Sequence, residues 1–169
     1  EREMTYSEWK KKLLQRGVSV IAVEGSIGVG KTSLARMLAR HLGARLVEER
    51  IEDNPFLDRF YDDMGAFRFQ TQLVFLLNRY RQQISLAQKE LFDELTIIDY
   101  LFARDKIFEH VNLSDDELAL YNRIADELES RVVRPDLVVY LQARSDVLHD
   151  RILRRGRAGE RGMSKDYLD

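Results

Sequence analysis

Gly25-Ser26-Ile27-Gly28-Val29-Gly30-Lys31-Thr32 is the stretch of sequence that decides the fold. It satisfies the pattern G-x-x-x-x-G-K-[ST]. It lies between an apolar, β-branched run at residues 18–23 and a segment at residues 34–42 whose apolar residues recur at helical spacing. In that context glycines let backbone N–H groups turn toward phosphate oxygens, and the helix N-terminus adds the positive end of its dipole. The stretch therefore predicts a P-loop, with ATP and Mg²⁺ as the expected ligands.

Residue type assigns the roles within this loop. The ammonium group of Lys31 is expected to reach the β- and γ-phosphate oxygens, and the hydroxyl of Thr32 is expected to bind magnesium. A glycine turn with an incidental lysine is the alternative, but the flanking strand and helix favour a nucleotide site. The loop does not name the reaction, because ATPases, GTPases, kinases and sensors all use it. The predicted nucleotide-binding residues are Gly25, Ser26, Ile27, Gly28, Val29, Gly30, Lys31, Thr32 and Ser33.

Composition excludes several other kinds of chemistry. The chain has 169 residues, of which 27 are basic and 29 acidic, so no global field is expected to attract nucleic acid or an anionic membrane. It contains no cysteine, which excludes disulfides, thiolate catalysis and cysteine-bound zinc. The apolar run at 18–23 is too short to cross a bilayer. A soluble, cytoplasmic protein is therefore expected.

Strand and helix patterns alternate along the chain. A helix predicted over residues 7–16 ends at Gly17, and residues 1–17 are interpreted as a leader helix followed by one domain at 18–169. The alternation predicts an α/β fold of the P-loop NTPase type: a three-layer sandwich with a central parallel sheet and helices on both faces. Its ligand site is expected at the carboxyl ends of the strands. The predicted strands are 18–23, 44–48, 95–98 and 136–141. The predicted helices are 34–42, 56–61 with Asn54 as its cap, 66–92, one that begins at a capping box of Ser114 and Glu117, and a last one capped by Ser145.

Four segments, taken in order, carry a family resemblance. They are residues 24–32, the glutamate Glu49 five residues before Asn54-Pro55-Phe56-Leu57, the segment 66–72, and the arginine-rich segment 154–160. Together they resemble the deoxynucleoside kinase family, the relatives of deoxycytidine, deoxyguanosine and deoxyadenosine kinases. The resemblance covers most of the chain from Val18 onward. It implies transfer of the γ-phosphate of ATP to the 5′-hydroxyl of a deoxynucleoside, by a kinase domain whose arginine-rich segment is a lid.

The resemblance also implies roles for individual side chains. Glu49 would remove the proton from the sugar 5′-hydroxyl, Phe69 would stack on the base, and Gln70 would hydrogen bond to it. Glu160 would meet the 3′-hydroxyl, and Asp105 would face the base. The implied substrate-binding residues are Glu49, Tyr61, Phe69, Gln70, Asp105 and Glu160; the catalytic residues are Glu49, Lys31, Arg151, Arg155 and Arg157; and the metal ligands are Thr32 and Asp99.

Each of these assignments has a plainer alternative. Periodicity does not separate Glu49 from its neighbour Glu48, and Phe69 with Gln70 fits the core and surface of an amphipathic helix. Asp99 could instead cap a helix over residues 100–108. The arginines around 151–157 could form a solvated face or a weak nucleic-acid patch, although their spacing beside glycines favours a closing lid.

The chain also departs from the family pattern. Tyr100-Leu101 stands where the family has an arginine followed by serine, so Arg104 or a lid arginine would have to replace that cation. Leu77 stands at a second base-reading position that is an arginine in relatives. The last strand and terminal helices of the family, which follow the lid and touch adenine, have no counterpart in this sequence.

Two rival functions share the P-loop. A nucleoside monophosphate kinase of the thymidylate kinase type would need a cation for the phosphate of its acceptor, and glutamate at residue 49 argues against it. A domain that binds ATP without transferring phosphate is the rival from another class, motivated by Tyr100. The resemblance implies a homodimer acting on a small-molecule deoxynucleoside, with neither nucleic acid nor a membrane as partner.

Overall fold

The computed structural model describes residues 3–50, 53–89, 95–102 and 113–156. These residues pack into two compact units. The first unit is Glu1–Glu48, Leu91–Leu101 and Arg134–Asp169, and the second is Glu49–Glu90 and Phe102–Val133. The elements of the first unit are α1 (Tyr6–Gln15), β1 (Val20–Gly25), α2 (Lys31–Leu42), β2 (Arg45–Val47), β3 (Thr96–Ile98), β4 (Leu137–Leu141) and α6 (Ser145–Arg155). Those of the second are α3 (Leu57–Asp62), α4 (Met64–Lys89) and α5 (Asp115–Glu129).

A parallel sheet forms the centre of the first unit. Its order is β2-β3-β1-β4, and every pairing is parallel. All six residues of β1 are buried, as expected for a central strand covered on both faces. The predicted α/β fold with a parallel sheet is therefore confirmed, whereas the predicted lid extends past Gly156 and so beyond the described residues.

The core of this unit forms between the sheet and two helices. Ala35, Ala39 and Leu42 of α2 pack against Ile21 and Val23 of β1. Leu13 and Leu14 of α1 lie against the same cluster. The predicted leader helix is thus a packed element, which begins at a capping box between Thr5 and Glu8.

The strand β1 begins two residues later than the pattern predicts. Val18 donates its backbone N–H to Leu13 O at 3.0 Å, so it completes the C-terminal turn of α1 instead of joining the sheet. Ser19 donates its backbone N–H to the Asp136 carboxylate at 2.9 Å. This contact joins the start of β1 to the start of β4.

Helices make up the second unit. Leu76 of α4 and Tyr121 and Ala125 of α5 are buried in one apolar cluster together with Phe102. The predicted capping box is confirmed, with the Ser114 backbone N–H donating to the Glu117 carboxylate at 3.0 Å. Among the residues described in both units, no helix has the length and apolar character needed to span a membrane.

Two predicted helix caps are wrong. Asn54 accepts a hydrogen bond from Phe56 N at 3.1 Å, forming a turn before α3, and its side-chain amide donates to Thr71 O of α4 at 2.8 Å. The amide therefore holds the α3 turn onto α4, and Phe56 occupies the cap position. Ser145 is the first helical residue of α6, so Arg144 precedes it at the cap position.

Candidate active site

The predicted phosphate-binding loop, residues 25–32, connects the carboxyl end of β1 to the first residues of α2. Gly30 occupies the N-cap position of α2 with φ of 104° and supplies no side-chain cap. A left-handed conformation of this kind is accessible to glycine at little cost. The Lys31 ammonium group lies over the loop and donates to Gly25 O at 2.8 Å and to Ser26 O at 3.3 Å. A helix N-terminus and a lysine therefore converge on the loop, which is the charge arrangement that binds phosphate.

Neighbouring atoms of β4 and α6 leave no room for a side chain at two glycines of the loop. A Cβ atom at Gly28, where φ is 76°, would lie 2.9 Å from Ile152 Cγ1 of α6. A Cβ atom at Gly25 would collide with the backbone oxygen of Leu141 at the end of β4. Arg151 donates to Val29 O at 3.0 Å, so α6 contacts the loop through a polar as well as an apolar side chain. The loop is thus packed between β4 and α6, and glycine is required at both positions.

The side chains of Thr32 and Asp99 meet beside the loop. The Thr32 hydroxyl donates to Asp99 Oδ2 at 2.8 Å, and Asp99 is 4% exposed at the end of β3. Hydroxyl and carboxylate oxygens are ligands that Mg²⁺ accepts, and magnesium in phosphate sites takes few protein ligands. Within the described ranges no group of three or more acidic, histidine or cysteine side chains could hold a metal. The Thr32–Asp99 pair therefore fits a magnesium ion that is completed by phosphate oxygens.

A buried carboxylate connects the loop to the segment after β3. Glu24 is 4% exposed and accepts hydrogen bonds from Gly25 N at 2.6 Å and from Leu101 N at 3.0 Å. Leu101 lies two residues after Asp99, so Glu24 links the start of the loop to the backbone that follows Asp99. Glu24 was not among the predicted site residues, although its position inside an otherwise apolar buried strand is the signal that points to it.

The two adjacent glutamates have different partners. Glu48, in the first unit, accepts two hydrogen bonds from the exposed Arg36, at 2.5 and 2.7 Å. These bonds hold the pKa of Glu48 below its ordinary value. Glu49, in the second unit, accepts a hydrogen bond at 2.7 Å from Arg79 of α4, which is buried. Arg79 was not among the predicted site residues, although it lies between the buried residues Leu76 and Leu86 of α4.

The predicted base-binding pair lies near the start of α4. Phe69 is half-buried and packs against the apolar cluster of the second unit, while Gln70 is exposed. Leu77, on nearly the same helix face as Gln70, is 38% exposed. Phe69 thus faces the apolar cluster of the second unit, whereas Gln70 faces solvent.

The remaining predicted site residues lie on α6, on α3 or outside the described residues. Arg155 is exposed near the C-terminus of α6, one turn after Arg151. Tyr61 lies on α3, and its side chain is outside the described set. Outside the described residues lie Arg104, Asp105, Arg157 and Glu160.

Comparison with known proteins gives a consistent result. The family model described as deoxynucleoside kinase matches residues 21–169. Among curated proteins, the deoxyguanosine kinase of Bacillus subtilis is 37% identical over 150 residues, covering 88% of this chain and 72% of the relative. The deoxyadenosine kinase of Dictyostelium discoideum is 32% identical over 151 residues, covering 88% of this chain and 61% of the relative.

A solved structure agrees in its fold. The structure of deoxyadenosine kinase from M. mycoides with bound dATP superposes with a TM-score of 0.76 at 26% identity. The match covers 89% of this chain and 78% of that structure. The likeness therefore extends over both the sheet and the helical unit.

Proposed function

This chain belongs to the deoxynucleoside kinase family, and we propose that it transfers the γ-phosphate of ATP to the 5′-hydroxyl of a deoxynucleoside. It is a phosphotransferase, and its product is a deoxynucleoside monophosphate. The observation that carries the proposal is the phosphate-binding loop with the Thr32–Asp99 pair beside it, because phosphoryl transfer depends mainly on positioning and charge neutralisation.

The donor side of the reaction is assigned to the first unit. The loop N–H groups and Lys31 bind the phosphates of ATP, while Thr32 and Asp99 hold Mg²⁺. When bound, Mg²⁺ neutralises charge that develops on the phosphate oxygens during transfer. Arg151 and Arg155 of α6, with Arg157, supply positive charge to the transferring group. The Arg151 contact with Val29 O supports this role, since it already brings one of these cations against the loop.

The acceptor side of the reaction is assigned to the second unit. Glu49 aligns the 5′-hydroxyl and removes its proton, since a carboxylate is the kind of base that this step uses. Phe69 stacks on the nucleobase and Gln70 hydrogen bonds to its edge. Further substrate contacts are proposed for Tyr61, Asp105 and Glu160.

The proposal also covers the oligomeric state, the location and the partners of the enzyme. We infer a homodimer that works in the cytoplasm on free nucleosides, with neither nucleic acid nor a membrane as partner. The near balance of 27 basic and 29 acidic residues supports the last point. Light scattering on the purified protein would give the mass of the assembly, and a monomeric mass would contradict the dimer.

Incubation with radiolabelled ATP tests the reaction. Purified protein is supplied with each of the four common deoxynucleosides, and separately with each deoxynucleoside monophosphate, with and without Mg²⁺. We expect label on at least one nucleoside, at its 5′ position, only when Mg²⁺ is present. Label only on a monophosphate would favour the thymidylate-type kinase, and binding of ATP without transfer would favour a sensor. The Lys31→Ala variant is the negative control.

A further inference from the structure

Arg79 is a cation on the apolar side of a helix. Leu76, Arg79, Gln83 and Leu86 follow one another on α4 at spacings of three and four, and each is less than a tenth exposed. Such a stripe normally faces the core, and arginine is almost never buried unless it is paired. The burial of Arg79 therefore requires a specific partner.

That partner is the Glu49 carboxylate. Arg79 Nε donates to Glu49 Oε1 at 2.7 Å, and Arg79 Nη2 contacts the same oxygen. The two side chains are only 8% and 17% exposed. Two donors of one planar guanidinium thus converge on one carboxylate oxygen, which fixes the position of that oxygen.

The position of a catalytic base decides whether it can accept a proton from the substrate. A catalytic base works when a third group holds it in the productive rotamer, and an unsupported base that is misplaced by about 1 Å loses much of its effect. A glutamate side chain has three rotatable bonds, so without a partner it would sample several rotamers. The two contacts from Arg79 restrict that freedom at Glu49.

We propose that Arg79 is the positioning residue for the Glu49 carboxylate and sets the rate of phosphoryl transfer through it. This inference rests on the proposed role of Glu49 as the base. Arg79 itself touches neither the transferred phosphate nor the acceptor in this assignment. It is therefore expected to affect kcat much more than the KM for ATP.

Three variants test the inference. Arg79→Met removes the cation, Arg79→Lys keeps the charge but not the planar guanidinium, and Arg81→Met removes an exposed arginine two residues away on the same helix as the control. We expect Arg79→Met to lower kcat roughly 100-fold or more, which is the lower part of the range for general-base catalysis, with the KM for ATP changed by less than about threefold. Arg79→Lys should lie between it and the wild type, and Arg81→Met should match the wild type.

Two further measurements separate positioning from a purely structural role. Methylguanidine at low millimolar concentration should restore part of the kcat of an Arg79→Ala variant, and folding of every variant is checked by circular dichroism. In the Glu49→Gln background, Arg79→Met should cause no additional loss of kcat, because a residue that acts through Glu49 has nothing left to position. Additive losses, or a folded Arg79→Met variant with wild-type kcat, would overturn the inference.

The outcomes distinguish failure of this inference from failure of the proposed function. If Glu49→Gln abolishes transfer while folded Arg79→Met retains it, Glu49 is the base and only the role of Arg79 is wrong. If Glu49→Gln retains transfer, the base assignment fails and the inference fails with it.

Discussion

The Arg36–Glu48 pair of the first unit and the Arg79–Glu49 pair of the second use the same chemical groups in very different surroundings. The side chains of Arg36 and Glu48 are 61% and 33% exposed, whereas those of Arg79 and Glu49 are 8% and 17% exposed. Water screens the first pair and competes for its hydrogen bonds. The second pair is largely removed from water, so each member depends on the other. Exposure, rather than the number of hydrogen bonds, thus separates a surface ion pair from one that can hold a reactive carboxylate in place.

The largest effect is expected on catalysis. Glu49→Gln should lower kcat roughly 10²–10⁴-fold, the usual contribution of a general base, while ATP still binds. Glu48→Gln, one residue earlier, should leave kcat close to the wild-type value. Steady-state transfer to the preferred deoxynucleoside measures both. If Glu49→Gln keeps the wild-type kcat, or if Glu48→Gln loses it, the assignment of Glu49 as the base is wrong.

The next effect is expected on stability. Arg79→Met should lower the free energy of unfolding by up to about 3–5 kcal/mol, because it leaves the Glu49 carboxylate, which is only 17% exposed, without this cation. Arg36→Met should cause a much smaller loss, since solvent largely replaces the lost contact with Glu48. Urea denaturation followed by circular dichroism measures the two variants side by side. Equal losses of unfolding free energy in the two variants would show that exposure does not distinguish the two ion pairs.

Salt should affect the two pairs unequally. In double-mutant cycles, the coupling between Arg36 and Glu48 should decline toward zero as NaCl approaches 1 M, where the Debye length is about 3 Å. The coupling between Arg79 and Glu49 should persist, because buried charges are screened much less. Cycles measured at low and high salt give both values. A salt-sensitive Arg79–Glu49 coupling would indicate that water reaches this pair.

The smallest effect concerns pH. The hydrogen bonds from Arg36 hold the pKa of Glu48 below its ordinary value of 4.5. A carboxylate whose pKa is lower in the folded than in the unfolded state stabilises the fold above the unfolded pKa, and this contribution is lost as pH falls through the folded pKa. Glu48→Gln should therefore be slightly less stable than the wild type at neutral pH and equally stable well below pH 4.5. Urea denaturation over a series of pH values checks this, and a difference that persists in acid would contradict it.

Local patterns predicted much of the fold. The apolar run before the phosphate-binding loop predicted β1, and Ser114 with Glu117 predicted the start of α5, because both signals lie within a few residues of the feature. Asn54 and Ser145 were also assigned as helix caps from local signals, and both assignments are wrong. Asn54 bonds to Thr71, 17 residues away, a contact that no local pattern contains.

The candidate site was predicted unevenly, for a related reason. Lys31 and Thr32 follow from one contiguous motif, whereas the choice of Glu49 over Glu48 came from spacing to Asn54-Pro55 and not from periodicity. Arg79 was missed because its partner is 30 residues away. Its spacing from Leu76 and Leu86 on the buried stripe was the available signal, since a charged residue at a core position needs a partner.

The contact between Gly28 and Ile152 has a practical consequence for engineering. Because a Cβ atom at residue 28 would reach Ile152, the turn that cradles phosphate and the helix that leads toward the arginine-rich segment share one packing surface. A library that varies residue 152 to alter the proposed lid would therefore also vary the shape of the loop at residues 25–32. Selections for a new acceptor should leave that residue fixed and direct diversity to the proposed base-binding residues of α4.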